Sequence, residues 1–329
     1  MPLHLDEFQK EEFLGYVENV PAAKDYLLRS FLPNKQMDDL DFTYNIFNGK
    51  YTKAAKVTGL NAGAPLRDKQ GIDKAMGQLA KIQTSFRLDE REMFRFNNPR
   101  NTREAEGVVN YIYEEVDDLV NSVYDTEEWM RARALYHGGF DYNQDGVVIK
   151  FDYNIPGANK LTATTAWSDQ VNSNPLTDLR AAVKQFRAAN KNRKPVVMHI
   201  SEAVEADLLA NQQIKLQIRG EVDKRLITSS DLQNVFSSLG LPPYQVQDDM
   251  IDIDDGNGEQ ALLPERRIVF LGQDLGFTGI GPTVEKNWES GIYVVTKIQE
   301  TDPPMQAVFV GETAFPAFQR PSAVVWLNV

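Results

Sequence analysis

The residues best placed to do chemistry are Asp141-x-Asn143-x-Asp145-Gly146, with Asp152 at the twelfth position of the same count. Oxygen donors at 1, 3 and 5, a glycine for the bend at 6 and a carboxylate at 12 are what an EF-hand calcium loop requires. The flanking sequence points elsewhere. Val147 to Phe151 alternates as a strand does, which would turn Asp152 away from the loop, and Asp-Gly is also a hairpin turn signal. Calcium and an ordinary β-turn therefore compete here. A second acidic group, Asp248, Asp249, Asp252, Asp254, Asp255 and Glu259, suits either a divalent ion or an exposed hairpin tip. Gly276-Phe277-Thr278-Gly279-Ile280-Gly281 reverses the dinucleotide-binding spacing and lacks a strand–turn–helix setting, so a plain loop is expected.

Nucleophilic chemistry finds less support. The histidines are His4, His137 and His199, there is no Gly-x-Ser-x-Gly elbow, and zero cysteines exclude disulfides and thiolate sites. His199 is expected at the end of a buried strand, before a Ser201 N-cap. No catalytic residue, cofactor or metal ligand is assigned, and the chain is read as not an enzyme.

The elements around these residues are unusual. From Asn101 to His137 the sequence predicts one amphipathic helix of about 36 residues, roughly 54 Å long. Val109, Ile112, Val116, Leu119, Val120 and Val123 mark its core-facing stripe, and Glu114, Glu115, Asp117 and Asp118 its charged face. Asn101 with Glu104 makes a capping pair, and Arg131, Arg133 and His137 suit the negative end before Gly138-Gly139. Asp125-Thr126 is the one place where the helix would split. So long a helix cannot be covered by one small core, which favours a spine for a multi-lobed building block.

Upstream, residues 5 to 18 and 22 to 32 read as two short amphipathic helices. Phe8, Phe13, Leu14 and Val17, then Tyr26, Leu27, Phe31 and Leu32, must dock on the chain's own body or on a neighbour. Residues 42 to 98 read as a protruding hairpin with a polar middle, in which 72 to 80 forms a short helix and 81 to 86 is extended. Downstream, helices are expected at 176–189, 202–210 and 229–239, the last capped by Ser229 or Ser230. Strands are expected at 147–153, 195–200, 244–253, 267–271, 293–298, 306–310 and along the apolar C-terminus. Strands and helices interleave without a βαβ rhythm, which makes the fold class α+β.

The chain is 329 residues long with a net charge of −12. That length supports two or more lobes, and the charge argues against general phosphate binding. One basic patch, Lys184, Arg187, Lys191, Arg193 and Lys194, is read as a solvated helix end or a local anion contact. No apolar run is long enough for a membrane span, and no secretory leader is visible, so a cytoplasmic site of folding is expected.

The order of elements resembles the major capsid protein E family of lambda-type tailed phages. The likeness is carried by Trp129-Met130-Arg131-Ala132-Arg133-Ala134-Leu135-Tyr136-His137-Gly138-Gly139 running into Val147 to Tyr153, then Trp167-Ser168-Asp169 and Asn174-Pro175-Leu176-Thr177-Asp178-Leu179. It continues in Leu263-Pro264, Gly279-Ile280-Gly281-Pro282, Asp302-Pro303-Pro304, Ala314-Phe315-Pro316-Ala317 and Val324-Val325-Trp326-Leu327-Asn328-Val329.

The resemblance implies the Hong Kong 97-type capsid fold. Residues 1–41 would be the N-terminal arm and 42–98 an extended loop lying over a neighbour, with Gly59, Gly63, Arg67, Lys69 and Gly71 at the subunit interface. Residues 99–155, completed by about 291–312, would be the peripheral domain with its spine helix. Residues 156–290, completed by about 313–329, would be the axial domain. The chain would assemble with itself into hexamers and pentamers of an icosahedral virion shell around double-stranded DNA, without sequence-specific binding. It would do so in the host cytoplasm, with a portal, a separate scaffolding protein and a decoration protein as partners. Lys53, Lys56 and Lys69 lie where some relatives cross-link, and no cross-link is expected here. A cellular nanocompartment shell of the same fold and a calcium-binding phage structural or adhesion protein are the alternatives.

Overall fold

The computed structural model describes residues 3, 8, 10–46, 73–144, 147–220, 225–254, 256, 258–299 and 304–329. Among these the helices are α1 (Lys10–Val17), α2 (Glu90–Asn97), α3 (Thr102–Ala132), α4 (Pro175–Ala189), α5 (Glu202–Ala210), α6 (Gln212–Arg219) and α7 (Ser229–Ser238). The strands run β1 (Asn34–Gln36), β2 (Asp41–Ile46), β3 (Asp73–Gln78), β4 (Ala80–Leu88), β5 (Gly139–Gln144), β6 (Val147–Asp152), β7 (Lys160–Thr162), β8 (Val197–Ile200) and β9 (Tyr244–Val246). They continue with β10 (Met250–Ile251), β11 (Gln260–Ala261), β12 (Arg267–Leu271), β13 (Gly276–Thr283), β14 (Glu289–Ser290), β15 (Tyr293–Gln299), β16 (Met305–Phe318) and β17 (Val324–Asn328). The chain divides into two compact units, the first built from 1–43, 76–131 and 277–317 and the second from 44–75, 132–276 and 318–329.

The first unit is a helix-on-sheet layer. Fourteen-residue β16 is the shared partner of β4, β13 and β15, and β1 joins β13 in parallel. Ladder pairs run from Gln306↔Leu88 to Ala314↔Ala80 on one side of β16 and from Tyr293↔Gly311 to Gln299↔Met305 on the other. Gly311 is required at this crowded point, because a Cβ would lie 2.4 Å from the Ile82 carbonyl and 2.8 Å from the Tyr293 hydroxyl. The core joins Phe8, Phe13, Val17 and Val20 to Val108, Ile112, Val116, Val120 and Val123 of α3 and to Val294, Val308 and Val310 of the sheet. Ile112, Val116, Val120 and Val123 are fully buried, as the helical spacing requires; Val109 is only half-buried and Val108 takes the core position.

The second unit carries the sheet β7-β17-β12-β8-β9 with α4 to α7 around it. The apolar run Val324-Val325-Trp326-Leu327 is buried at successive positions, so both faces of β17 are covered, while its edges pair with β12 and β7. The expected strand 267–271 and helices 176–189 and 202–210 are present to within a residue, with Asn174 and Ser201 as N-caps.

Several expectations give way. Residues 22–32 contain only the 3₁₀ turn Leu27–Ser30 rather than a helix. Residues 73–78 are strand β3, paired with β2, not a helix. Within the segment expected to protrude, β4 is a sheet strand and α2 is a helix capped by the Asp89–Glu92 box. Gly276 to Thr283 is a strand, not a loop, because glycines let neighbouring chain approach closely: a Cβ on Gly281 would lie 1.9 Å from Leu79. The 244–253 stretch breaks into β9 and β10, and α7 is capped by Thr228 rather than Ser229 or Ser230.

Candidate functional site

Helix α3 is the element to which the rest of the first unit is fitted. Asn101 accepts the Glu104 amide at its start, while the Glu104 carboxylate accepts from Arg100 rather than from Asn101, one residue outside the expected box. Asp125-Thr126 does not split the helix; Thr126 returns its hydroxyl to the Ser122 carbonyl inside the turn.

A polar stripe of α3 that includes Asp117 of its charged face holds the N-terminal segment in place. Tyr16 donates to Asp117 at 2.6 Å, the Ala23 amide to Asn121 at 3.0 Å, Tyr26 to Asp125 at 2.9 Å and the Leu28 amide to Glu128 at 2.7 Å. Lys24 adds an ion pair to Asp125 at 2.8 Å. The acceptors recur at intervals of four, four and three, one stripe of a helix, so residues 16 to 28 run along α3 in its own direction. Burial and the hydrogen bond to Asp117 push the Tyr16 phenol up to about 12, and burial beside Asp125 pushes Tyr26 up further. Phe8, Phe13 and Tyr113 pack edge-to-face or tilted beside this ladder. The segment therefore docks on the chain's own body.

At the end of this ladder lies a buried ionic cluster. Arg131 was expected to balance the helix's negative end, yet it is 1% exposed and turned inward. It donates to Thr278 at 3.0 Å, to Glu128 at 3.1 Å, to Asn34 and to Glu127. The cluster thus ties α3 to β1 and β13. Glu312 of β16 completes it. Burial works against ionisation of Glu127, but neighbouring Glu312, the Arg131 charge and the Asn34 amide outweigh it and hold Glu127 below the usual carboxylate range. Burial and the Glu127 charge push Glu312 well above that range. Glu312 is thus pushed toward its neutral form beside Glu127, whose carboxylate is met by Arg131 and Asn34.

In the second unit the helix ends in the π-turn Arg133–His137 and then Gly138, whose φ of +78° is the left-handed conformation that glycine adopts freely. The terminal carbonyls that such an end leaves bare are met by side chains. Trp326 Nε1 donates to Leu135 at 3.0 Å, and Arg267 donates to Tyr136 at 2.7 Å while stacking 4.7 Å from the Trp326 ring. A Cβ at Gly138 would lie 2.8 Å from that ring. His137 and His199 are both lowered to about 4 by burial, so His137 carries no charge for the helix end at neutral pH. His199 pairs with the Tyr136 hydroxyl at 2.6 Å in a buried setting.

The calcium-like loop is built on a hairpin. The β5–β6 ladder pairs Gly139 with Asp152 and Gln144 with Val147, which puts Asp152 about 17 Å along the strand from the turn. There it accepts the Asn154 amide, and Asp141 instead faces Lys150 across the ladder. Asp145 and Gly146 lie outside the described residues. In the second acidic group, Asp248 caps α5 through the Glu202 amide and Asp252 accepts the Asp254 amide, both local backbone roles; Asp255 is outside the described residues. Among the described residues no group of three or more acidic or histidine side chains is placed to hold a metal. Gly59, Gly63, Arg67, Lys69 and Gly71, with Lys53 and Lys56, also lie outside the described residues. The acceptor ladder and the Glu127–Glu312 pair were missed in the sequence. Their one visible signal was Glu127, Glu128 and Arg131 continuing the helix on the side of its apolar stripe.

A family model described as phage major capsid protein E matches residues 11–329. No curated protein sequence matches. Among solved structures, one assigned as the capsid protein of a prophage in Escherichia coli CFT073 has a TM-score of 0.65 at 14% identity, covering 96% of this chain and 97% of that one. A phage-related protein from Bordetella bronchiseptica RB50 has a TM-score of 0.56 at 9% identity over 95% of each chain. The capsid of Myoviridae phage XM1 has a TM-score of 0.52 at 9% identity, covering 94% of this chain and 95% of that one.

Proposed function

The chain belongs to the phage major capsid protein E family, and from that premise we propose how its parts serve assembly. It is a major capsid protein of a tailed bacteriophage with the Hong Kong 97-type fold, a shell component whose family is structural rather than catalytic. Self-association into a shell follows from that family. The observation that supports the finer reading is the arm-to-spine ladder, which lays the N-terminal segment along α3 of its own subunit.

In this reading residues 1–41 are the arm, 42–98 contain the extended loop, 99–155 with about 291–312 form the peripheral domain, and 156–290 with about 313–329 form the axial domain. Gly59, Gly63, Arg67, Lys69 and Gly71 make the loop's contact with the next subunit. Hexamers and pentamers assemble in the host cytoplasm around a portal with a separate scaffolding protein, and a decoration protein reinforces the finished shell. Heterologous contacts of this kind close into rings when their rotation divides a full turn. Electron microscopy of the expressed chain with and without its scaffolding protein tests the reading. Closed polyhedral shells or six- and five-membered rings support it, and a uniformly monomeric protein in both conditions overturns it.

A further inference from the structure

The second unit holds a cavity of about 580 Å³ against α4. Arg180, Lys184 and Arg187 line it from one stripe of the helix, at successive rises of about 6 and 4.5 Å. Lys194 adds a fourth cation from the following loop, and Val183 and Leu241 supply an apolar wall. No carboxylate lines the cavity, and among the described residues none of these four cations has an ion-pair partner. The Nε of Arg187 is buried without an acceptor. In a chain of net charge −12, so concentrated a positive site is unbalanced within the subunit.

The same unit presents a complementary surface. Asp248, Met250, Asp252 and Asp254 are exposed at every second position, while Ile251 between them is buried. Asp252 accepts the Asp254 amide and Asp254 has a φ of +55°, so these two exposed acids lie on a tight turn that follows β10. Met250, 51% exposed between the acids, matches the cavity's apolar wall.

We propose that this cavity receives the acidic segment Asp248–Asp254 of a second copy of the chain, Asp252 and Asp254 meeting the α4 cations and Met250 covering Val183 and Leu241. The inference rests on the shell reading above and names one contact that builds the ring. In a ring the contact runs head-to-tail, the cavity of one copy receiving the acidic segment of the next.

The test is a charge swap in the full chain, with rings counted by native mass spectrometry and electron microscopy. R180E/K184E and D252K/D254K are each expected to raise the concentration needed for ring formation roughly tenfold or more, since like charges would face each other in the contact. An equal mixture of the two variants restores every contact when they alternate. The mixture should therefore recover six-membered rings but not five-membered ones, which cannot alternate. Wild-type chain that never assembles would defeat the shell reading itself. Wild-type rings alongside equally good R180E/K184E rings would overturn this contact alone. So would loss of binding to a short single-stranded oligonucleotide with ring formation unchanged, which would reassign the cavity to nucleic acid. Should R180E/K184E fail to fold by circular dichroism, R180Q/K184Q carries the same test with a smaller expected loss.

Discussion

Replacing Glu312 with glutamine should stabilise the subunit at neutral pH and flatten part of its pH dependence. Glu312 is 3% exposed, and burial and the Glu127 charge push its carboxyl well above the usual range. In the unfolded chain its carboxyl ionises near the ordinary value of 4.5. Between that pH and its raised folded value, the native chain holds a proton that the unfolded chain has lost. Stability therefore falls as pH rises through the window, by about 1.4 kcal/mol per pH unit, and is constant above it. Glutamine keeps the shape without a group to ionise. Urea unfolding of the unassembled subunit at pH 5 to 9 reads the effect. The difference between E312Q and wild type should grow by about 1.4 kcal/mol per unit from pH 5 until the folded group titrates, then level off. Taking the difference removes His137 and His199, which titrate alike in both proteins. E127Q should do the opposite, costing about 1.5–3 kcal/mol, because it removes the charge from one of the two buried carboxylates, Glu127 and Glu128, that meet Arg131. A parallel pair of pH curves for E312Q and wild type, or an E312Q protein less stable at pH 7, would refute the raised titration of Glu312.

I112D should abolish soluble folded protein, since it buries an unpaired charge at a fully enclosed position between α1 and the sheet; recovery of a cooperative melt would contradict this. W326F should cost about 1–3 kcal/mol, because the Leu135 carbonyl loses its donor while the ring volume is largely kept, as chemical denaturation will report. G138A should destabilise by more than about 1 kcal/mol, combining a left-handed backbone with a Cβ pressed against Trp326. N121A/D125A should release the N-terminal segment without unfolding the spine, seen as faster amide exchange confined to residues 16–30; unchanged exchange there would mean that the apolar contacts alone hold it.

Much of this protein is legible from local pattern. The period of Ile112, Val116, Val120 and Val123 is enough to specify a long helix with one buried face, because helical geometry repeats whatever the surroundings. Gly138 marks its end, Asn174 and Ser201 mark the starts of α4 and α5, and the apolar C-terminus marks an interior strand, each through chemistry acting over a few residues. What the helix touches was decided only by the tertiary structure. Glu127, Glu128 and Arg131 look like solvated charges in the sequence and become a buried cluster because Asn34, Thr278 and Glu312, distant along the chain, meet them there. Asp117, Asn121 and Asp125 become a ladder only when residues 16 to 28 lie beside them, and Gly276 to Thr283 becomes a strand only because β1 and β16 pair with it. Local sequence sets which elements form, through backbone geometry and amphipathic period; long-range packing sets which polar groups are buried, because desolvation depends on neighbours that no short window contains.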